Sequence, residues 1–220
     1  MSSPESRLAA AGLAAAQEAE RLFALDIIDP KHDDLSEHAE RSRALITGFI
    51  REGLGWADEK PYQGDGDMAW CGAFAAFCWR AGGASAEVRR KHFASTRRLD
   101  KFAAERRADD PCPSRRLALS AAMPPDELLA FGPRPGDLLL IGDADSPHGS
   151  HVGLLVGFEP AGRRFLSVEG NGFGPGPSHQ RSREGVVRVC RQLDDGTRLV
   201  RIVRLGSLDL DTRADEAESP

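Results

Sequence analysis

The stretch Asp67-Met68-Ala69-Trp70-Cys71-Gly72-Ala73-Phe74-Ala75-Ala76-Phe77-Cys78-Trp79-Arg80-Ala81-Gly82-Gly83 decides how the rest of the chain is read. Up to Met68 the sequence is polar and rich in turn formers; from Cys71 to Arg80 it is apolar and small, and Gly82-Gly83 stops it. The spacing of Phe74, Phe77, Cys78 and Trp79 predicts a buried helix. Cys71 falls at its N-terminus, where free backbone N–H groups and the positive dipole end favour a thiolate over a thiol. Gly72, without a side chain, lets a substrate backbone approach that sulfur. Free cysteines are also common core fillers, so a nucleophilic Cys71 needs support from elsewhere in the chain.

Working outward, the 220 residues suit one domain with terminal extensions. The net charge of −5 argues against generic nucleic-acid binding, and the longest apolar runs are too short for a membrane span. Four cysteines without a CxxC pair suggest neither a disulfide framework nor a zinc site. Residues 1–40 carry nine acids against three Lys or Arg. Leu8 to Ala16 is Ala-rich but follows no basic segment, so it reads as an amphipathic helix rather than a secretion signal, and synthesis as a cytoplasmic protein is expected. Helices are predicted over Ala9 to Leu25, up to the break at Asp29-Pro30, and from an N-cap at Ser36 to about Leu54.

Beyond the Cys71 helix, residues 84–119 are basic, with ten Lys or Arg against five acids. Arg89-Arg90-Lys91 and Arg97-Arg98 are expected on helices. Neither Arg89-Arg90-Lys91 nor Arg97-Arg98 carries an aromatic stacking residue within it, so these charges read as a solvated face or a surface for an anionic polymer. A short helical turn is expected from Asp126 to Phe131. After Pro133-Arg134-Pro135-Gly136 the style changes to short apolar strands: Asp137 to Ile141, His151 to Phe158, Arg164 to Glu169, Gly185 to Arg191 and Leu199 to Leu205. Ala161-Gly162 makes a hairpin turn, so the strands beside it should pair antiparallel. Helices first and sheet second is an α+β pattern.

A cysteine nucleophile needs a base, and the base an orienting group. His32, His38, His92 and His179 lie in charged or loop segments and read as surface residues. His151 opens a strand directly after a polar loop, with His148 as its nearby decoy. On the next strand Ser167, Glu169 and Asn171 are two apart and should share a face, where a carboxylate or amide can hold the imidazole through Nδ1–H. No third ligand accompanies His148 and His151, so no metal is expected. Gly170-Asn171-Gly172-Phe173-Gly174 follows a strand but no helix can follow it, because Pro175 and Pro177 intervene, and it is not read as a phosphate loop.

The ordered set Trp70 to Phe74, Arg134 to Asp137, His151 to Gly153 and Glu169 to Asn171 resembles the CHAP and NlpC/P60 superfamily of peptidoglycan-cleaving cysteine hydrolases, the CHAP branch above all, over roughly residues 60–205. Pro61-Tyr62 resembles the NlpC/P60 pattern, whereas Trp70 and Gly72 stand where that branch usually has Asp and Ser. The resemblance implies a papain-like fold, with the nucleophile helix on a C-terminal antiparallel sheet of about five strands. It implies Cys71 as nucleophile, His151 as base, Glu169 and Asn171 as orienting or polar site residues, and a site lined by Tyr62, with no cofactor. Tyr62, Trp70 and Gly72 are the expected oxyanion and substrate residues.

The organisation expected is a helical extension over 1–55, a catalytic domain over 56–207 with a basic helical insert over 84–130, and a disordered acidic tail over 208–220. The expected partner is peptidoglycan or its stem peptides, acted on in the periplasm or cell wall after export as an antibacterial toxin or release by a lysis route. A toxin would have a cognate inhibitor protein. Two other readings stay open: a papain-like binding scaffold without catalysis, and the same chemistry on a different amide.

Overall fold

The computed structural model describes residues 2–64, 68–105, 109–142, 147–175, 182–193 and 199–211. Among these residues six α-helices, α1 (Pro4–Ala24), α2 (Glu37–Gly48), α3 (Cys71–Ala81), α4 (Ala86–Val88), α5 (Thr96–Ala104) and α6 (Pro125–Phe131), accompany six strands. The strands are β1 (Arg115–Ala118), β2 (Leu138–Ile141), β3 (His151–Glu159), β4 (Arg164–Pro175), β5 (Ser182–Gln192) and β6 (Leu199–Arg204). They form one antiparallel sheet in the order β1-β6-β2-β3-β4-β5. The α+β reading holds, and so does the hairpin at Ala161-Gly162, across which Glu159 pairs with Arg164.

The sheet has six strands where five were expected. The additional one, β1, lies inside the segment read as a helical insert and pairs with β6 at the sheet edge. Its Arg-Arg pair hid it: Arg115 and Leu117 are half-buried, while Arg116 and Ala118 are exposed, a period-two pattern carried by polar as well as apolar side chains.

Ser36 caps α2 as predicted, its hydroxyl accepting from the Ala39 N–H. The helix runs on as a π-turn over Phe49–Gly53 rather than as α-helix to Leu54. The helices of residues 1–55 share the core of the rest of the chain. Leu8, Ala15, Ala19 and Leu22 of α1 and Ile46, Phe49 and Ile50 of α2 and its extension are buried in one cluster with α3, Leu138, Val152 and Val168. Burying each large aliphatic or aromatic side chain contributes about 1.5–3 kcal/mol. The first residues of the segment read as a disordered tail are ordered. Ser207–Asp209 form a 3-10 turn, Asp209 is buried, and Leu210 bridges to Ala84. The remainder of that expected tail, residues 212–220, lies outside the described residues.

The Arg134 to Asp137 turn anchors α1 to the sheet. A Cβ on Gly136 would lie 2.3 Å from the Gly12 Cα, and one on Gly12 would lie 2.7 Å from the Pro135 carbonyl oxygen, so backbone crosses backbone here. The Trp79 indole N–H donates to the Gly136 oxygen at 3.0 Å. Arg204 closes the turn with two bonds to the buried Asp137 carboxylate, at 2.8 and 2.7 Å. Gly132 and Gly136 both have positive φ, 62° and 93°, but beside Gly132 the nearest heavy atom to an added Cβ is 3.7 Å away. Gly132→Ala should therefore cost only the backbone term, about 1–2 kcal/mol, whereas Gly136→Ala adds an overpacking cost of about 1–3 kcal/mol. Urea denaturation of the two variants should rank them in that order.

Candidate active site

Three elements bring the sequence-predicted residues together. Cys71 is the first residue of α3, with Trp70 as N-cap. His151 is the first residue of β3. Glu169 lies on β4, which pairs with β3 through Leu154 and Val168. Gly153 therefore sits beside Glu169, and a Cβ there would come within 2.9 Å of the Glu169 Cγ. The glycine in His151-Val152-Gly153 makes room for the carboxylate that serves the histidine.

The three side chains form a relay. His151 Nε2 lies 3.1 Å from Glu169 Oε2. The imidazole also acts on the Cys71 thiol, through hydrogen bonding and charge that favour the thiolate. The orienting contact thus runs through Nε2, and the expected Nδ1–H contact is corrected. His151 opens β3, and its Nε2 reaches across to Glu169 on β4. The sulfur also faces the backbone N–H groups of Gly72 and Val152.

The electrostatics suit a charged pair. Burial raises the Cys71 thiol, but the hydrogen bond and charge of His151 and the two backbone N–H groups outweigh it, and the thiol settles below its ordinary value of 9.0. Burial lowers His151, but Cys71 and Glu169 together push it up to about 9. Burial raises Glu169, and its bond to His151 and the charge of Arg191 hold it below the usual carboxylate range.

Arg191 was not singled out in the sequence. Its guanidinium grips both Glu169 oxygens, Nη1 on Oε1 and Nη2 on Oε2 at 3.1 Å, while Ser167 donates to Oε1 at 2.5 Å. A signal existed: Arg191 is in period-two step with Val187 and Val189, so an arginine stands in an inward row of β5.

Asn171 does not join this relay. A register shift between Glu169 and Gly172 breaks the strand period, and Asn171 adopts a φ of 55°. Its Oδ1 accepts from the Trp70 backbone N–H at 3.1 Å, and its Nδ2 donates to Asp29 at 3.2 Å. Asp29, read in the sequence only as a helix breaker, is a hub. It also accepts the Tyr62 hydroxyl at 2.7 Å and the Trp70 indole N–H at 3.3 Å. Tyr62 is 2% exposed and uses its proton on Asp29 rather than on an oxyanion. Trp70 is fully buried against Phe49. Tyr62, Trp70 and Asn171 thus fix the start of α3.

Gly72 also has a different reason from the one expected. A Cβ there would lie 2.0 Å from the Phe93 carbonyl oxygen, so the absent side chain admits the chain's own backbone rather than a substrate's. Beside it a groove of about 150 Å³ reaches Cys71, walled by Phe93, Ala94, Ser95 and Thr96 on one side and Ser150 and Val152 on the other. His148 is held elsewhere, its Nδ1 on Asp100 at 2.7 Å. Among the described residues no group of three or more His, Cys, Asp or Glu is arranged to hold a metal ion, and no helix is long and apolar enough to cross a membrane. His179 lies outside the described residues. Comparisons with family models, with curated proteins and with solved structures find no match.

Alkylation should separate Cys71 from an ordinary thiol. The thiolate is the reactive form, so a lowered value makes labelling rise at lower pH. Cys112 is the internal control, because burial and Glu5 raise it. Iodoacetamide followed by peptide mass spectrometry from pH 4 to 10 should show Cys71 labelling with an earlier midpoint than Cys112. In His151→Ala only the two backbone N–H groups still oppose burial, and the Cys71 midpoint should move to higher pH.

Proposed function

We propose that this chain is a cysteine amidase or endopeptidase and that its substrates are the amide bonds of peptidoglycan peptides. The observation that carries the chemistry is the single line of contacts from Cys71 at a helix N-terminus through His151 to a buried, arginine-clamped Glu169. The substrate class rests on the resemblance of the ordered motifs to CHAP and NlpC/P60 hydrolases. With it goes a papain-like arrangement, which the order of helix and sheet supports.

The reaction follows from the groups present. The Cys71 sulfur attacks the carbonyl carbon and forms the C–S bond, and the carbonyl π electrons move to oxygen. At the first position of α3 the Cys71 backbone N–H has no intrahelical acceptor and can receive that oxyanion. The intermediate collapses, the C–N bond breaks, and the His151 imidazolium gives the leaving amine its proton. Water then attacks the thioester and passes a proton to His151; the carboxylic acid departs and the Cys71–His151 pair is restored. Glu169 holds the ring throughout and favours its charged form. These steps use only side chains, backbone N–H groups and water.

This reading places the work outside the cytoplasm, so export or lysis-linked release is part of the proposal. The test is turnover of purified peptidoglycan, with released fragments read by mass spectrometry. Cys71→Ala should lower the rate by at least about 10³-fold, and cleavage at the wild-type rate would sink the mechanism. Glu169→Gln should lose about 10²- to 10⁴-fold. It should also move the alkaline limb of the pH profile below its wild-type position near 9, because Glu169 helps raise His151. Asn171→Ala, which acts on the Trp70 backbone, should leave that limb in place.

A further inference from the structure

The basic segment after α3 is not absorbed by the relay, and the structure puts it at the edge of the Cys71 groove. Ala94, Ser95 and Thr96 wall the groove, and Arg97 and Arg98 follow at once in the first turn of α5, both exposed. Thr96 ties this turn to the loop before His151, its hydroxyl donating to the Gly149 oxygen at 2.7 Å.

Three of the five acids of the same segment are already paired with cations. Glu87 pairs with Lys91 and Glu105 with Lys101. Asp100 is buried among Arg116, Arg201 and His148. Among the described residues, the guanidinium groups of Arg97 and Arg98 have no ion-pair or hydrogen-bond partner. Their placement is locally unfavourable, since cations in the first turn of a helix oppose its dipole. A chain of net charge −5 therefore exposes unpaired positive charge, against local preference, in the turn that directly follows a wall of the Cys71 groove.

We infer that Arg97 and Arg98 form a cationic lip that recruits the acidic side groups of a peptide substrate into the Cys71 groove. The inference rests on the reading of Cys71 as the nucleophile of an amide hydrolase. A chain whose amide reaches the sulfur is a peptide, and the anions such a chain carries are carboxylates. Guanidinium groups bind these with paired, charge-assisted hydrogen bonds.

The test compares two alkylating reagents of one chemistry, neutral iodoacetamide and anionic iodoacetate, on wild type and on the double variant Arg97→Gln/Arg98→Gln. The neutral reagent reports activation of Cys71 alone; the ratio of iodoacetate to iodoacetamide rates reports the local field. At low ionic strength the ratio should fall about two- to five-fold in the variant, and the difference should fade as salt is raised. Arg97→Glu/Arg98→Glu should lower it further. An oligoglutamate peptide should protect wild-type Cys71 from iodoacetamide and protect the double variant less. Equal ratios in wild type and variants, with Cys71 fully reactive, overturn the lip and leave the relay standing. A Cys71 inert to both reagents sinks the relay itself. Protection by polyphosphate of matched charge that equals or exceeds that by oligoglutamate overturns the assignment to peptide carboxylates.

Discussion

The negative charge of Glu169 is the constraint on which the rest of the site depends. The residue is 1% exposed midway along β4, and an ionised carboxylate there must be paired and hydrogen-bonded. Arg191 supplies the countercharge from one neighbouring strand and His151 the hydrogen bond from the other. Ser167 satisfies a further lone pair, and Gly153 leaves the space. Once Arg191 has neutralised most of that charge, Glu169 can lean on His151 without being protonated by it. The imidazole is then held both in orientation and in its charged form, and the Cys71 thiolate becomes the favoured partner.

A relay of this kind fails if the nucleophile wanders, because reach and alignment decide the rate. The start of α3 is fixed by unusually close approaches of backbone. Phe93 presses its carbonyl against Gly72, Gly53 lies under the Ala73 carbonyl, and Gly170 lies under the Trp70 and Phe74 rings; at each glycine an added Cβ would come within 2.7 Å of its neighbour. Asp29 and Asn171 then hold Trp70 by its indole and its backbone N–H. Small residues in and around this helix therefore serve to bring polar and aromatic anchors close, and the sulfur is presented by a rigid frame rather than by a loop.

This division of labour explains what the sequence made legible. Helix α3, the strands from β2 to β6 and the Cys71–His151–Glu169 set announce themselves through local periodicity and through polar residues at the ends of apolar runs. The contacts that decide between Glu169 and Asn171 do not, because a register shift within β4 rotates Asn171 away from the face it would share by counting residues. Asp29 and Arg191 are likewise silent. Each meets its partners only after distant segments pack, and an aspartate before a proline or an arginine on a strand has an ordinary local explanation. Edge strand β1 was obscured by its two arginines, one of which, Arg116, reaches the buried Asp100.

That last contact shows why the segment between α3 and β2 belongs to the site and not merely beside it. Asp100 on α5 binds His148, Thr96 binds the Gly149 carbonyl, and Arg201 of β6 binds the Pro147 carbonyl. Three successive residues ahead of Ser150 and His151 are thus pinned by α5 and the sheet. The same helix that walls the groove therefore also sets where β3 begins, and with it where the imidazole stands. The buried charge of Asp100, shared among two arginines and a histidine, does for the loop what Glu169 does for the ring: it makes one arrangement much better paired than its alternatives. Two buried carboxylates, one behind the base and one beneath the loop that carries it, fix the His151 side of the site from opposite directions.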